Sequence, residues 1–134
     1  MAQIAIVDDD RQLQELFAVV LRERGWEVAA YTTFHDALER LQDGPPDLII
    51  LDIWFQSPDT GWKLLQNLKM DVNLRDVPIV ICTGATDLIR DKEAWLLERD
   101  IPVLLKPFEI DDLYVVIDTA LERRHPNPSP ARVR

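Results

Sequence analysis

Five polar side chains follow four short apolar runs, and their types suit a cation and a phosphoryl group. They are Asp8 and Asp9 after IAIV, Asp52 after LIIL, Thr83 after IVIC and Lys106 after VLL. Runs of this kind form strands that are buried on both faces of a parallel sheet. Because the carboxyl ends of parallel strands share one edge, we expect these side chains to converge. Three carboxylates, one hydroxyl and one ammonium in one crevice predict a site for a divalent cation and a phosphoryl group.

Strand-like and helix-like patterns alternate along the chain and would place these residues at strand ends. Strands are predicted over residues 3–7, 26–31, 48–51, 78–82 and 101–105. Helices are predicted over residues 10–24, 34–43, 61–70, 86–99 and 109–124. A (βα)₅ pattern of this length predicts a doubly wound α/β fold, a three-layer sandwich with right-handed crossovers.

The helices differ in how many apolar residues they carry. The first is expected to begin at an Asp10 cap and to turn one stripe toward the sheet. That stripe comprises Leu13, Leu16, Phe17, Val20 and Leu21. Two later helices hold more apolar residues than one inward stripe can take, namely Trp95, Leu96 and Leu97 in helix four, and Val115 and Val116 in helix five. We therefore expect an exposed apolar surface on these two helices.

The composition is that of one globular domain with an acidic surface. The chain has 134 residues, of which 47% are hydrophobic and 29% charged, and this size allows one domain with a real core. Its 24 acidic and 15 basic side chains give a net charge of −9, which repels the phosphate backbone of nucleic acids. We therefore expect no direct binding of nucleic acid.

The patterns of secreted and membrane proteins are not met. The segment MAQIAIVDDD has no cationic region, and no apolar run is long enough to span a bilayer. The single cysteine, Cys82, lies within IVIC and is expected to be a small buried hydrophobe. One cysteine cannot form a disulfide framework, which fits a reducing compartment. A cytoplasmic location without membrane contact is the prediction.

The chain resembles the receiver domains of two-component response regulators, and is similar to single-domain regulators of the chemotaxis type. The signature combines the acidic pair after strand one, Asp52 after strand three, Thr83 after strand four and Lys106-Pro107 after strand five. The resemblance implies a flavodoxin-like fold whose five-stranded parallel sheet has the order 2-1-3-4-5. It assigns residues 1–124 to the receiver domain and leaves the proline-rich residues 125–134 as a flexible tail or the start of a linker.

The resemblance also implies a reaction. Asp52 is the expected phosphoacceptor, which takes a phosphoryl group from a sensor histidine kinase or a histidine phosphotransfer protein and forms an acyl phosphate. The Lys106 ammonium would neutralise charge on the transferred oxygens, and the Thr83 hydroxyl would donate a hydrogen bond to one of them. Such a protein is not an enzyme, apart from catalysing its own phosphotransfer and dephosphorylation.

Mg²⁺ is the expected cofactor, with Mn²⁺ as a second option. Mg²⁺ prefers hard oxygen ligands and takes few carboxylates together with waters and phosphate. The ligands would be Asp8, Asp9, Asp52 and the backbone carbonyl of Trp54. Neighbouring carboxylates repel one another without a cation, which favours metal binding here. Trp54 and Trp62 are expected to flank this site.

Other classes of protein share parts of the pattern. A phosphatase of the haloacid dehalogenase type would need a second aspartate two residues after the first, where Trp54 stands. A flavodoxin would need a loop rich in Ser, Thr and Gly after strand one, where this chain has DDDRQ. The remaining alternative is a degenerate receiver, which acts as an interaction module independently of phosphorylation.

Two regions depart from the family's pattern and bear on output. The loop IWFQSPDTG after Asp52 is one residue longer than usual, and Gln56 stands where the family commonly has proline. Val103 stands where many relatives carry Tyr or Phe. We therefore expect output through loop movement alone or through another surface. The expected output surface is the face of helix four, strand five and helix five, used for a downstream protein or for self-association.

Overall fold

Five strands and five helices alternate along residues 1–124, the part of the chain that the computed structural model describes. The strands are β1 Gln3–Val7, β2 Glu27–Tyr31, β3 Leu48–Leu51, β4 Ile79–Thr83 and β5 Val103–Leu105. The helices are α1 Arg11–Glu23, α2 Phe34–Asp43, α3 Pro58–Met70, α4 Thr86–Glu98 and α5 Ile110–Arg124. All paired strands are parallel and their order is β2-β1-β3-β4-β5, which confirms the predicted flavodoxin-like sheet. The proposed tail, residues 125–134, lies outside the described residues.

The central strands supply side chains alternately to two apolar layers. Ile4 and Ile6 of β1 belong to the layer under α1 and α5, whereas Ala5 and Val7 belong to the layer under α2, α3 and α4. Successive side chains of a strand point to opposite faces, so a strand covered on both faces must be apolar throughout. This arrangement is the predicted three-layer sandwich. Among residues 1–124, no helix combines the length and the apolar character that crossing a bilayer requires.

The order in which successive strands are added to the sheet changes direction at β1, and a site can form at that point. β1 pairs with β2 on one side and with β3 on the other, and Val7 lies opposite Leu51 at the carboxyl ends of β1 and β3. The loops leaving these two strands run to opposite faces of the sheet and leave a crevice between them. Asp8 and Asp52 are the residues that directly follow these two strands.

Helix α3 begins earlier than predicted, at Pro58 instead of residue 61. Ser57 is its cap, since its hydroxyl accepts a hydrogen bond from the Thr60 N–H at 3.1 Å. Proline suits the first helical position because its missing N–H would have no helical partner there. The Ser-Pro pair is therefore a helix start and not part of the loop.

Strand β5 is shorter than predicted and begins at Val103 instead of residue 101. The N–H of Ile101 donates to the carbonyl of Leu96 and closes the end of α4. Pro102 has no N–H to donate, although its carbonyl still accepts from Ile81 of β4. Residues 101 and 102 therefore connect α4 to β5 and are not part of the strand.

The predicted apolar stripe of α1 is wrong at one position. Leu16 is 50% exposed, whereas Gln14 is buried together with Phe17 and Leu21. At 100° per residue the buried stripe is centred on Phe17 and Leu21, so Gln14 falls within it and Leu16 lies beyond its edge. The predicted cap is confirmed, because Asp10 Oδ1 accepts from the Leu13 N–H at 3.1 Å. A buried amide therefore lies within the inward stripe, which was predicted from apolar residues alone.

Candidate functional site

An open pocket of about 490 Å³ lies at the carboxyl ends of the strands. Its lining residues are Asp8, Asp9, Asp10, Asp52, Trp54, Thr83, Gly84, Ala85 and Lys106. Every polar residue singled out from the four apolar runs is among them. The convergence expected from the parallel topology is therefore what the structure shows.

Lys106 links the acidic residues that follow β1 and β3. Its Nζ lies 3.0 Å from Asp8 Oδ2 and 3.1 Å from Asp52 Oδ2. Burial lowers the pKa of Lys106, but the charges of Asp52 and Asp8 outweigh burial and leave that pKa above its ordinary value. The side chain is therefore a stable ammonium, fixed between two carboxylates of the pocket.

Asp8 is the most buried of the carboxylates in this pocket, at 3% exposure. Burial raises its pKa above the ordinary value, although the Asp10 N–H and the Lys106 ammonium both act to lower it. The Asp10 N–H donates to Asp8 Oδ1 at 2.9 Å. The negative charge at Asp8 therefore costs folding free energy when no cation is present.

We expect Asp8→Asn to raise the free energy of unfolding at neutral pH without divalent cations. When folding raises the pKa of a carboxyl group, that group does not lower stability at pH values below its unfolded pKa, here 3.8. Stability then falls as pH rises through the folded pKa. The gain from Asp8→Asn should accordingly be present at pH 7 and absent near pH 3. Urea titrations of both proteins at several pH values test this. Equal stability at pH 7, or a gain that persists at low pH, would contradict it.

The loop after Asp52 is fastened to two pocket carboxylates through its backbone. The Trp54 N–H donates to Asp52 Oδ1 at 2.9 Å, and the Gln56 N–H donates to Asp9 Oδ2 at 3.1 Å. Gln56 has a φ of 66°, in the left-handed region. Ile53 and Phe55 alternate with these residues and are buried in the core. The loop therefore bonds to the pocket carboxylates on one side and packs against the core on the other.

Trp54 and Trp62 were both predicted to flank the site, and this is right for only one of them. Trp54 lines the pocket and is 51% exposed. Trp62 of α3 instead packs edge-on against Trp95 of α4, with ring centroids 4.7 Å apart. Gly61, the residue before Trp62, faces the Ile53 carbonyl. The Trp62 ring lies between α3 and α4. That the Trp54 carbonyl is a metal ligand stays a prediction.

Thr83 is the last residue of β4 and is fully buried. Its Oγ1 accepts a hydrogen bond from the Ala85 N–H at 3.2 Å, and its carbonyl accepts from the Lys106 N–H at 2.9 Å. The hydroxyl proton can still donate into the pocket. Thr83 therefore connects the pocket to the loop that leads into α4.

The donor set of the pocket suits Mg²⁺. Within residues 1–124, no three or more His, Cys, Asp or Glu side chains lie close enough together to hold a metal ion by themselves. Lys106 stands between Asp8 and Asp52, and Asp9 is exposed toward solvent. Mg²⁺ needs only one or two carboxylates and completes its octahedral shell with waters and phosphate. Hard carboxylate oxygens around an open pocket meet that requirement.

Gln14 lies behind the pocket, bonded to the backbone of a pocket residue, and was not predicted. Its Nε2 donates to the backbone carbonyls of Asp8 and Tyr31, each at 2.8 Å. The sequence signal for it is a polar residue three positions before Phe17 and seven before Leu21, inside a helical stripe that is otherwise apolar.

Cys82 is a buried thiol as predicted, and burial raises its pKa to about 12.

Fold and pocket together define a doubly wound α/β protein with a cluster of carboxylates at its topological switch point. Residues 4–118 match the family model of the response regulator receiver domain. The chain therefore belongs to the receiver domains of two-component response regulators. Receivers partner with histidine kinases and generally use Mg²⁺ for phosphotransfer.

Individual relatives agree with this assignment. The phosphate regulon transcriptional regulatory protein PhoB of Pseudomonas aeruginosa is 31% identical over 131 residues, which cover 97% of this chain and 56% of that protein. The chain spans about half the length of the curated relatives it matches. A specific similarity to chemotaxis-type regulators stays a prediction.

Two solved structures match over nearly their whole length. The receiver domain of NtrX from Brucella abortus has a TM-score of 0.76 at 30% identity, covering 89% of this chain and 98% of that one. The response regulator TrrA of Thermotoga maritima, solved with Mg²⁺ and BeF, has a TM-score of 0.76 at 26% identity, covering 90% and 99%. These structures share the described fold of this chain.

Proposed function

We propose that this receiver accepts a phosphoryl group on Asp52 from a phosphohistidine of a sensor histidine kinase or phosphotransfer protein in the cytoplasm, and then switches a protein-interaction surface. One observation carries the proposal. The Asp52 carboxylate lies at the switch point of the sheet, 3.1 Å from the Lys106 ammonium and in the same pocket as the acidic pair and Thr83. A carboxylate held by a fixed cation in an open pocket is suited to nucleophilic attack on phosphorus.

The transfer needs few groups from the protein. A carboxylate oxygen of Asp52 forms a bond to phosphorus while the bond from phosphorus to the donor's imidazole nitrogen breaks, and the imidazole keeps that electron pair. Lys106 stays within reach of Asp52 Oδ2 and stabilises the charge on the transferred oxygens. Asp8, Asp9, Asp52 and the Trp54 carbonyl would hold Mg²⁺, or Mn²⁺. The bound cation supplies positive charge next to the phosphoryl oxygens.

Thr83 can convert phosphorylation into a loop movement. Its hydroxyl accepts from the Ala85 N–H in this structure and can donate to a phosphoryl oxygen on Asp52. Such a bond exists only in the phosphorylated state, so it favours the loop arrangement that allows it. Gly84 and Ala85 connect Thr83 directly to α4, which makes α4 the first element to respond.

The output surface is proposed to be the face formed by α4, β5 and α5. A groove of about 460 Å³ lies between α4 and β5. Three large apolar side chains on this face are exposed, Leu97 at 68%, Leu105 at 43% and Val115 at 63%. Leu96 is buried beside Leu97, as expected for neighbouring residues that cannot both face inward. Leu97 and Leu105 line this groove, and Val115 lines a smaller cavity beside α5. Exposed apolar side chains next to a groove are typical of a surface that binds a protein.

We expect beryllofluoride with Mg²⁺ to change how this face associates, either with a second copy or with a downstream protein. Sedimentation velocity should show a larger species for the treated chain, and Leu97→Glu should reduce it. Val19→Glu is the matched control, because Val19 is 58% exposed but lies on α1. An unchanged monomer in both states, with no amide chemical-shift changes over residues 95–118, would refute the assignment of this face.

Acetyl phosphate provides the direct test of the proposed function. Incubation with acetyl phosphate and Mg²⁺ should add one phosphoryl group, labile to hydroxylamine, and peptide mapping should place it on Asp52. EDTA should prevent the reaction. An unmodified chain at saturating Mg²⁺ would overturn the proposal and favour the degenerate receiver, whose interactions do not depend on phosphorylation.

A further inference from the structure

We propose that Gln14 is a positioning residue for the acidic pair, which holds Asp8 and Asp9 in the arrangement that binds the divalent cation. The proposal rests on the proposed function insofar as it takes this pair to be the cation site. Gln14 lies on α1 and is only 6% exposed. It is outside the signature from which the site was predicted, and it does not line the pocket with Asp8 and Asp9.

The side-chain amide of Gln14 makes two hydrogen bonds to the backbone. Its Nε2 donates to the Asp8 carbonyl and to the Tyr31 carbonyl, each at 2.8 Å. The nitrogen of the side-chain amide can serve two carbonyl oxygens at once, because it carries two N–H groups. The backbone N–H of Gln14 also donates to the Asp10 carbonyl at 3.1 Å. One residue thereby holds the carbonyls of Asp8 and Asp10, on either side of Asp9.

These bonds fix the direction in which the acidic side chains leave the backbone. The carbonyl of Asp8 belongs to the peptide plane that joins Asp8 to Asp9, so fixing that oxygen fixes the plane. The Tyr31 carbonyl also accepts the Asp8 N–H at 3.2 Å. Gln14 therefore ties the end of β1 to the end of β2 at the point where the acidic pair begins. A carboxylate whose backbone is already held in place needs less reorganisation to bind a cation.

Gln14→Met tests this role, because methionine keeps the length of the side chain and removes both donors. We expect the dissociation constant for Mg²⁺ to rise about tenfold, as is common when a group that orients metal ligands is lost. Amide chemical shifts of Asp9 and Trp54 during a Mg²⁺ titration measure the constant. The rate of phosphorylation by acetyl phosphate at saturating Mg²⁺ should stay within roughly twofold, whereas the Mg²⁺ concentration at half-maximal rate should rise.

A matched control separates positioning from a general loss of stability. Tyr114→Phe removes a hydrogen bond of 2.8 Å from the Tyr114 hydroxyl to the Val20 carbonyl, which also lies on α1 but far along the helix from the acidic pair. This variant should lower the urea midpoint and leave the Mg²⁺ constant unchanged. If Gln14→Met does not fold, Gln14→Asn takes its place. Asparagine retains the amide but reaches less far, so its Mg²⁺ dissociation constant should exceed that of the native chain.

Each result decides the proposal. Weaker Mg²⁺ binding in the Gln14 variants, with no change in Tyr114→Phe, supports it. Unchanged Mg²⁺ binding in the Gln14 variants, or an equal change in Tyr114→Phe, overturns it while the proposed function stands. A native chain that binds no Mg²⁺ overturns the Gln14 role together with the metal site of the proposed function.

Discussion

Asp52→Asn should abolish phosphorylation by acetyl phosphate, with a rate at least about a hundredfold below that of the native chain. Asparagine keeps the shape of the side chain and can still accept the Trp54 N–H, but its amide is a poor nucleophile. The variant should fold, because it removes one charge from a pocket in which carboxylates lie close together. Intact-mass spectrometry after timed incubation measures the rate, and the urea midpoint checks the fold.

The control for this variant is Asp47→Asn. Asp47 precedes β3 as Asp52 follows it, so the two carboxylates stand at opposite ends of one strand. Asp47 Oδ2 accepts the Gln3 N–H at 2.7 Å, far from the pocket. Asp47→Asn should be phosphorylated at the native rate. Labelling that persists in Asp52→Asn would place the acceptor on another residue and remove the basis of the proposed reaction.

Gly61→Ala should be the most destabilising single-methyl change in the chain. A Cβ at Gly61 would overlap the backbone carbonyl of Ile53, and neither group belongs to a flexible side chain. Either α3 or the loop after Asp52 must move, which we expect to cost about 3 kcal/mol of unfolding free energy. The thermal midpoint should fall by about 10 °C. Because the same loop carries the Trp54 N–H to Asp52, phosphorylation should also slow.

Gly44→Ala is the matched control for Gly61→Ala. A Cβ at Gly44 meets no atom within 4 Å, and its φ of −143° is open to alanine. The thermal midpoint should therefore stay the same or rise slightly, since alanine restricts the unfolded chain more than glycine does. Similar midpoints for the two variants would show that α3 does not press on the loop as closely as the structure indicates.

The fold was predictable because its strands are apolar without interruption. A run such as LIIL is typical of a strand covered on both faces, and its position between helical patterns favours a parallel sheet. The pocket followed from the same fact, because residues such as Asp8 and Lys106 leave parallel strands at one edge. Their contact at 3.0 Å joins residues 98 positions apart in sequence.

What could not be predicted depends on hydrogen bonds that leave no periodic signal. Gln14 reads as an ordinary polar residue until its amide is seen to reach two carbonyls. The short β5 results from the Ile101 N–H, which bonds to α4 rather than to a neighbouring strand. The left-handed Gln56 is set by its bond to Asp9, which lies 47 residues away. Each of these features depends on a hydrogen-bond partner that the apolar pattern does not reveal.

The position of Lys106 directly after the last strand also has a consequence for partly folded states of the chain. The carboxylates come from β1 and β3, whereas the ammonium that compensates them arrives only when β5 has docked. A chain in which β1 and β3 have paired but β5 has not docked would hold these like charges without their partner. The docking of β5 is therefore the step that completes the pocket electrostatically.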